Sequence, residues 1–166
     1  MKEYGGIVRA VTAWLNEREI PARGGWSEEE RIAEDRPIVM VSVKSYAAAH
    51  GGFENYLGER YDTDTAAWEE VYGKRVELEL GLDLYAEETC GQEWFQETAQ
   101  ELIRVLTLET PAGLRVDEIR CGEIRWDEKL RCLKQEITAR CTAWLVAVRR
   151  EGTEFLDFEL RGGWKL

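Results

Sequence analysis

Alternation of apolar and polar side chains along residues 75–86 is the clearest pattern in the chain. Five apolar residues alternate there with five polar or small ones, namely Val76, Leu78, Leu80, Leu82 and Leu84 against Glu77, Glu79, Gly81, Asp83 and Tyr85. A period of two over this length is typical of a β-strand with one buried and one solvated face. The pattern predicts a long strand whose Glu77, Glu79 and Asp83 side chains share a wet, acidic face.

Helical periodicity occurs on both sides of this strand. Residues 4–19 carry apolar side chains at the spacing of one helix face, and Pro21 ends the pattern. After the strand, Thr89 and Gln92 have the spacing of a capping box. A second apolar stripe then follows, made of Phe95, Ala99, Leu102, Ile103 and Leu106. These patterns predict two amphipathic helices, each burying one side.

Further strands are predicted before and after this unit. An apolar run over residues 38–46 indicates one, residues 114–126 and 130–150 indicate two long strands joined by a turn at 127–129, and residues 153–160 indicate a short last strand. Regular strand–helix–strand alternation is missing from this order. We therefore expect an α+β fold with a mixed, largely antiparallel sheet, a long hairpin, and two main helices packed on one face.

Residues 47–73 show no sustained period and are predicted to form a long loop, with two helical turns over residues 63–72 stopped by Gly73. Loops this long inside a compact domain are usually functional or disordered. Five aromatic residues argue against disorder, namely Phe53, Tyr56, Tyr61, Trp68 and Tyr72.

Length and charge limit the classes of function. The 166 residues fit one domain spanning residues 1–166, and 33 acidic against 22 basic residues give a net charge of −11. This charge disfavours binding to a phosphate backbone, and the seven Trp and six Tyr suit protein contacts. No apolar run reaches the roughly 20 residues of a membrane span. The first six residues lack the features of a signal peptide, so we expect a cytoplasmic protein with no membrane partner.

Candidate catalytic and metal-binding groups are sparse. His50 is the only histidine, no nucleophile-elbow sequence accompanies it, and an exposed loop imidazole is the simpler interpretation. The four cysteines contain no closely spaced pair, which favours separate reduced thiols, mostly buried, over a metal site. No sequence matches a phosphate-binding glycine loop. We therefore expect no catalytic residue, no metal and no cofactor.

Charged residues on the predicted strands have two interpretations. A hydrolase can use a carboxylate pair such as Glu77 and Glu79, but a solvated or subunit-facing sheet surface accounts for these acids equally well and is favoured. A short basic stripe at Arg140, Arg149 and Arg150 favours pairing with acids on a neighbouring strand or subunit over binding to nucleic acid.

Three segments resemble proteins encoded in the tail-assembly regions of phages and prophages of Gram-positive bacteria. They are residues 72–86, the hairpin strand at Gly122-Glu123, and residues 155–158. The order of predicted elements is similar to that of tail-terminator or tail-completion proteins, over most of the chain from Pro37 onward. The resemblance rests on pattern, so no residue-level role is carried over from it.

The resemblance implies a structural protein rather than an enzyme. Such proteins form a ring, generally a hexamer, that caps the tail tube and joins it to the head connector. The implied partners are further copies of the chain and tail-tube, sheath or connector proteins, without sequence-specific nucleic acid. The implied location is the bacterial host cytoplasm during assembly, and afterwards the virion or a phage-tail-like particle.

Eight residues are predicted to contribute to a subunit or partner interface. The aromatic anchors are Phe53, Tyr56, Tyr61 and Trp68, and the polar partners are Glu77, Glu79, Asp83 and Arg140. Packing within the chain is the alternative for each aromatic residue. The acidic strand face is also expected to let DNA pass if it lines a ring lumen.

Two other classes of function remain open. The first is an acidic inhibitor, such as an immunity protein, that covers a basic surface of its partner. The second is an enzyme that relies on the carboxylates alone.

Overall fold

One seven-stranded sheet forms the centre of the molecule, and two helices pack on one of its faces. The computed structural model describes residues 2–25, 35–50, 55–150 and 159–161. The main strand order is β1-β2-β4-β6-β5, with β3 beside β4 and β7 beside β6. Among the described strands, β1 and β2 pair in parallel, and the other pairs are antiparallel. The predicted α+β fold class is confirmed.

The elements follow one another in a simple order. They are α1 (Lys2–Asn16), β1 (Ala22–Arg23), β2 (Ile38–His50), β3 (Tyr56–Asp62), β4 (Ala67–Ala86), α2 (Gln92–Leu108), a 3₁₀ turn (Pro111–Gly113), β5 (Arg115–Asp127), β6 (Cys132–Arg150) and β7 (Glu159–Arg161).

The two longest strands, β4 and β6, form the spine of the sheet. Their antiparallel register runs from Glu69 opposite Arg150 to Ala86 opposite Leu133. Because side chains alternate along a strand, the even-numbered residues of β4 share one face. That face contributes Val76, Leu78, Leu80, Leu82 and Leu84 to the main core. The predicted apolar face of the strand is confirmed.

Both helices bury their apolar stripes in this core, with Ile7, Val11 and Leu15 from α1 and Phe95 and Leu102 from α2. The first helix ends at Asn16 rather than at residue 19. The Asn16 amide both donates to the Ala22 carbonyl (3.0 Å) and accepts from the Ala22 amide (2.9 Å). This side chain therefore holds β1 beside the end of α1.

The start of α2 differs from the predicted capping box. Gly91 occupies the N-cap position without a side-chain hydrogen bond, and the Thr89 hydroxyl donates to the Glu87 carboxylate (2.7 Å) instead. In the helix, Val105 takes a core position, whereas Ile103 is 38% exposed.

The prediction of a loop with two helical turns over residues 47–73 was wrong. Strand β2 continues to His50, and β3 and β4 form a hairpin through a turn at residues 63–66. The Asp62 carboxylate closes this turn by accepting from the Asp64 amide (2.9 Å) and the Thr65 hydroxyl (2.9 Å). Phe53 lies outside the described residues.

The predicted long hairpin is confirmed as β5 and β6, joined by a turn at residues 128–131. Of the predicted last strand, the described part is β7, which pairs with β6. Residues 153–158 lie outside the described part of the chain. Within the described ranges, no helix is both long and apolar enough to cross a membrane.

Candidate functional site

The first candidate surface lies on the hairpin of β3 and β4. No residue from 56 to 74 belongs to the core that the helices cover. Register places Tyr61 opposite Trp68 and Tyr56 opposite Tyr72, and each pair of rings meets edge to face with centroids 5.5 Å apart. Residues directly opposite each other share a sheet face, and Trp68 is 64% exposed there. We call this surface of four rings the aromatic face.

Two glutamates lie between the ring pairs of the aromatic face. Glu59 is directly opposite Glu70, and the Tyr72 hydroxyl donates to the Glu70 carboxylate (2.9 Å). Burial raises the pKa of Tyr56, and both carboxylates raise it further. Arg149, opposite Glu70 on β6, borders this row. Like charges directly opposite each other are unfavourable in a sheet, and Arg149 beside Glu70 offsets part of that repulsion.

The opposite side of the same hairpin holds a buried ion cluster. Glu69 is 1% exposed, and its carboxylate accepts from Arg150 Nε (2.6 Å) and Arg60 Nε (2.9 Å). Arg150 Nη2 also donates to the Asp62 carboxylate (3.1 Å). The cluster thus joins β3, β4 and β6 through charges where an ordinary sheet would place apolar side chains.

The Glu69 carboxylate is expected to make the stability of the protein depend on pH. Its hydrogen bond with Arg150 is the main reason that its pKa lies below the ordinary value of 4.5. This stabilisation is complete above the unfolded-state pKa and is lost as the pH falls through the lowered folded-state pKa. Each unit of lowering corresponds to about 1.4 kcal/mol. In urea titrations between neutral pH and pH 3, the wild type should lose stability more steeply than Glu69→Gln.

The exposed Glu97 of α2 supplies the matched control for this titration. The Glu97→Gln variant should follow the wild-type slope, because it removes a solvated carboxylate. Equal slopes for the wild type and Glu69→Gln would show that Glu69 is not the group responsible.

The second candidate surface is the sheet face that does not pack on the helices, which we call the open face. It carries Glu77, Glu79 and Arg140, with Glu79 directly opposite Arg140. Arg140 Nη2 also lies 3.3 Å from a carboxylate oxygen of Glu118 on β5. Basic and acidic side chains alternate across this surface, namely Arg75, Arg115, Arg120 and Arg140 among Glu77, Glu79, Asp117 and Glu118. The expectation of an acidic face thus holds only for Glu77 and Glu79, because Arg75 on the same strand and arginines on β5 and β6 share this surface.

Asp83 departs from the prediction of a solvated residue, since it is 7% exposed. Its Oδ1 accepts from the Ile137 amide (3.1 Å) and from Lys44 Nζ (3.4 Å), and Lys134 Nζ lies 3.8 Å from Oδ2. Lys44 is the bulged residue of β2, and it crosses over Gly81, where an added Cβ would come within 2.7 Å of the Lys44 side chain. Asp83 therefore joins three strands instead of offering a free carboxylate to a partner.

The remaining candidate groups are dispersed. His50 ends β2 and is exposed, with Nδ1 3.0 Å from the Asn55 side-chain oxygen. Cys90, Cys132 and Cys141 are buried and Cys121 is exposed, all as free thiols. Burial raises the pKa of Cys141 to about 12. In the part of the chain that the structure describes, no group of three or more His, Cys, Asp and Glu side chains is placed to hold a metal ion.

The structure therefore brings the predicted interface residues together as two separate sets. Tyr56, Tyr61 and Trp68 share the aromatic face, joined by Tyr72, which was not among the predicted interface residues. Glu77, Glu79 and Arg140 share the open face. No protein family model matches the chain, and no curated protein matches it closely enough to indicate a relative.

Proposed function

We propose that this protein is a structural, ring-forming component of a phage or prophage tail, of the tail-terminator or tail-completion class, and not an enzyme. The observation that carries the proposal is that the described part of one sheet exposes two surfaces, the aromatic face and the charged part of the open face around Glu77, Glu79 and Arg140. A ring subunit needs surfaces for its neighbours and for the proteins it joins. The resemblance of residues 72–86, Gly122-Glu123 and residues 155–158 to proteins of phage tail-assembly regions supports the same class.

The open face suits contact between copies. Its arginines and carboxylates alternate over three strands, so two such surfaces can meet with opposite charges facing each other, which gives a contact orientation and specificity. In this proposal, Glu77, Glu79 and Arg140 lie at or beside the junction between neighbouring subunits. Assembly takes place in the cytoplasm of the bacterial host, before the ring joins the tail.

Electron microscopy of the purified full chain tests the proposal. Annular particles with a central opening are expected, and Glu79→Arg should abolish them because it opposes Arg140 and reverses a charge at the subunit junction. Glu97→Arg makes the same charge change on α2 and should leave the rings intact. Circular dichroism checks that both variants fold. If Glu79→Arg still formed rings, the open face would not be the contact between subunits.

An acidic inhibitor of a basic protein is the second candidate. The acidic row within the aromatic face favours it, since glutamates and exposed aromatic rings also suit a basic partner surface. Such an inhibitor would remain a monomer and bind its target one to one.

A further inference from the structure

We propose that the aromatic face binds an arginine-bearing segment of a different protein, with a guanidinium group placed between the two ring pairs. This inference rests on the proposed function, because it names the chemistry of one partner of the ring subunit. Three observations support it. They are the order of aromatic and acidic pairs along the hairpin, the excess of negative charge in the acidic pair, and the stacking of arginines on other tryptophans of this chain.

The order of side-chain pairs along the hairpin creates a binding site for a cation. Tyr61 and Trp68 form one row and Tyr56 and Tyr72 another, with Glu59 and Glu70 between them. Residues two apart on a strand are roughly 7 Å apart. A planar guanidinium can therefore stack on a ring of one row while its N–H groups donate to a carboxylate of the next.

Among the described residues, the charge of the row is unbalanced. Glu59 and Glu70 are directly opposite each other, and Glu59 is exposed. Arg149 borders the row from β6 and reaches Tyr72, so in the part of the chain that the structure describes one cation stands beside two carboxylates. A second cation would remove the remaining repulsion. The two carboxylates of this row therefore favour the approach of a basic segment.

The chain itself pairs guanidinium groups with indole rings elsewhere. Arg18 lies over Trp14 with 4.1 Å between Cζ and the ring centroid, and Arg36 lies over Trp94 at 4.2 Å. Among the described residues, no cation is placed over Trp68 in this way, although it is the most exposed of the large apolar side chains apart from Leu108. Trp68 thus offers the kind of ring that arginine covers at the other two sites.

Charge also favours a different protein, rather than a second copy of this chain, as the partner that binds the aromatic face. The chain carries a net charge of −11. Arginines on β5 are already paired with acids two residues away, as in Arg115 with Asp117 and Arg120 with Glu118. A second copy therefore brings mainly negative charge to this surface, whereas a basic segment is attracted to it.

Fluorescence anisotropy with a labelled peptide of alternating arginine and glycine tests the inference on the full chain. A peptide with citrulline in place of arginine keeps the shape and loses the charge, so it should not bind. Trp68→Ala keeps the net charge and should weaken arginine-peptide binding about fivefold. Glu59→Gln with Glu70→Gln should weaken it about tenfold, and should not lower the thermal midpoint because it removes a repulsion.

Glu97→Gln with Glu128→Gln is the matched control, because it removes two exposed charges elsewhere and should change binding less than twofold. If both double variants lost the same peptide affinity and Trp68→Ala had no effect, binding would be a non-specific electrostatic attraction. That result would overturn the inference. A fall in oligomer mass caused by Trp68→Ala would also overturn it, by assigning the aromatic face to contact between copies. If the protein forms rings but does not bind the peptide, this inference is rejected and the proposed function stands. If it binds the peptide but forms no rings, only the proposed function is rejected.

Discussion

Replacing Leu80 by alanine is expected to lower the free energy of unfolding by about 3 kcal/mol. Leu80 is completely buried in the middle of β4, within the core that β4 shares with both helices. Truncation removes apolar contacts and leaves a cavity that the long, regular pairing of β4 with β6 prevents from closing. Urea denaturation followed by circular dichroism measures the loss.

Ile103→Ala is the matched control for Leu80→Ala. The sequence pattern assigned Ile103 to the buried stripe of α2, but the structure leaves it 38% exposed. Its truncation should cost less than about 1 kcal/mol, because much of the side chain is already solvated. Similar losses in the two variants would contradict the placement of the core described for this sheet.

Removal of both arginines that bind Glu69 is expected to cause the second large loss of stability. Arg60→Met combined with Arg150→Met should lower the free energy of unfolding by about 3–5 kcal/mol, because it leaves a buried carboxylate without a counter-charge. Adding Glu69→Leu should recover most of that loss, since a buried ion pair can often be replaced by packed apolar side chains. The measurement is the urea midpoint of the double and the triple variant.

Arg104→Met supplies the comparison for the arginine variants. Arg104 pairs with Glu101 on the exposed side of α2, and loss of an exposed pair costs less than about 1 kcal/mol. If the triple variant were no more stable than the double variant, the cost would come from lost arginine packing and not from the unpaired carboxylate.

Sequence pattern predicted the helix-covered part of the sheet well, because there burial on one face imposes a strict alternation. The apolar residues of β4 from Val76 onward and those of α2 show this directly. The pattern failed on β3 and on the first residues of β4, where Glu69 takes a buried position that an apolar residue would ordinarily fill. A charged residue at such a position removes the signal on which alternation depends.

The hairpin still carried a local signal that was available without the structure. Asp62 and Thr65 are typical of a turn closed by a side chain, and aromatic residues favoured in strands lie on both sides of it. Part of the candidate site was nevertheless predicted from the sequence. Tyr56, Tyr61 and Trp68 stood out as aromatic residues, but their common face follows from cross-strand register.

Asp83 shows a second limit of prediction from sequence pattern. Alternation places it correctly on the open face, but pattern alone does not reveal that Lys44 crosses Gly81 to reach it. That contact depends on the bulge in β2, which shifts the register between Val43 and Ser45. A solvated carboxylate and a buried junction between strands have the same sequence signature here.

The central claim is that this protein acts by assembly with copies of itself. Light scattering of the purified full chain over a range of concentrations measures its mass directly, against 19.2 kDa for one chain. A discrete oligomer with the mass of a closed ring, stable on dilution and lost in Glu79→Arg, is the predicted result. A strict monomer at every concentration that binds a basic protein one to one would contradict the claim and favour the inhibitor.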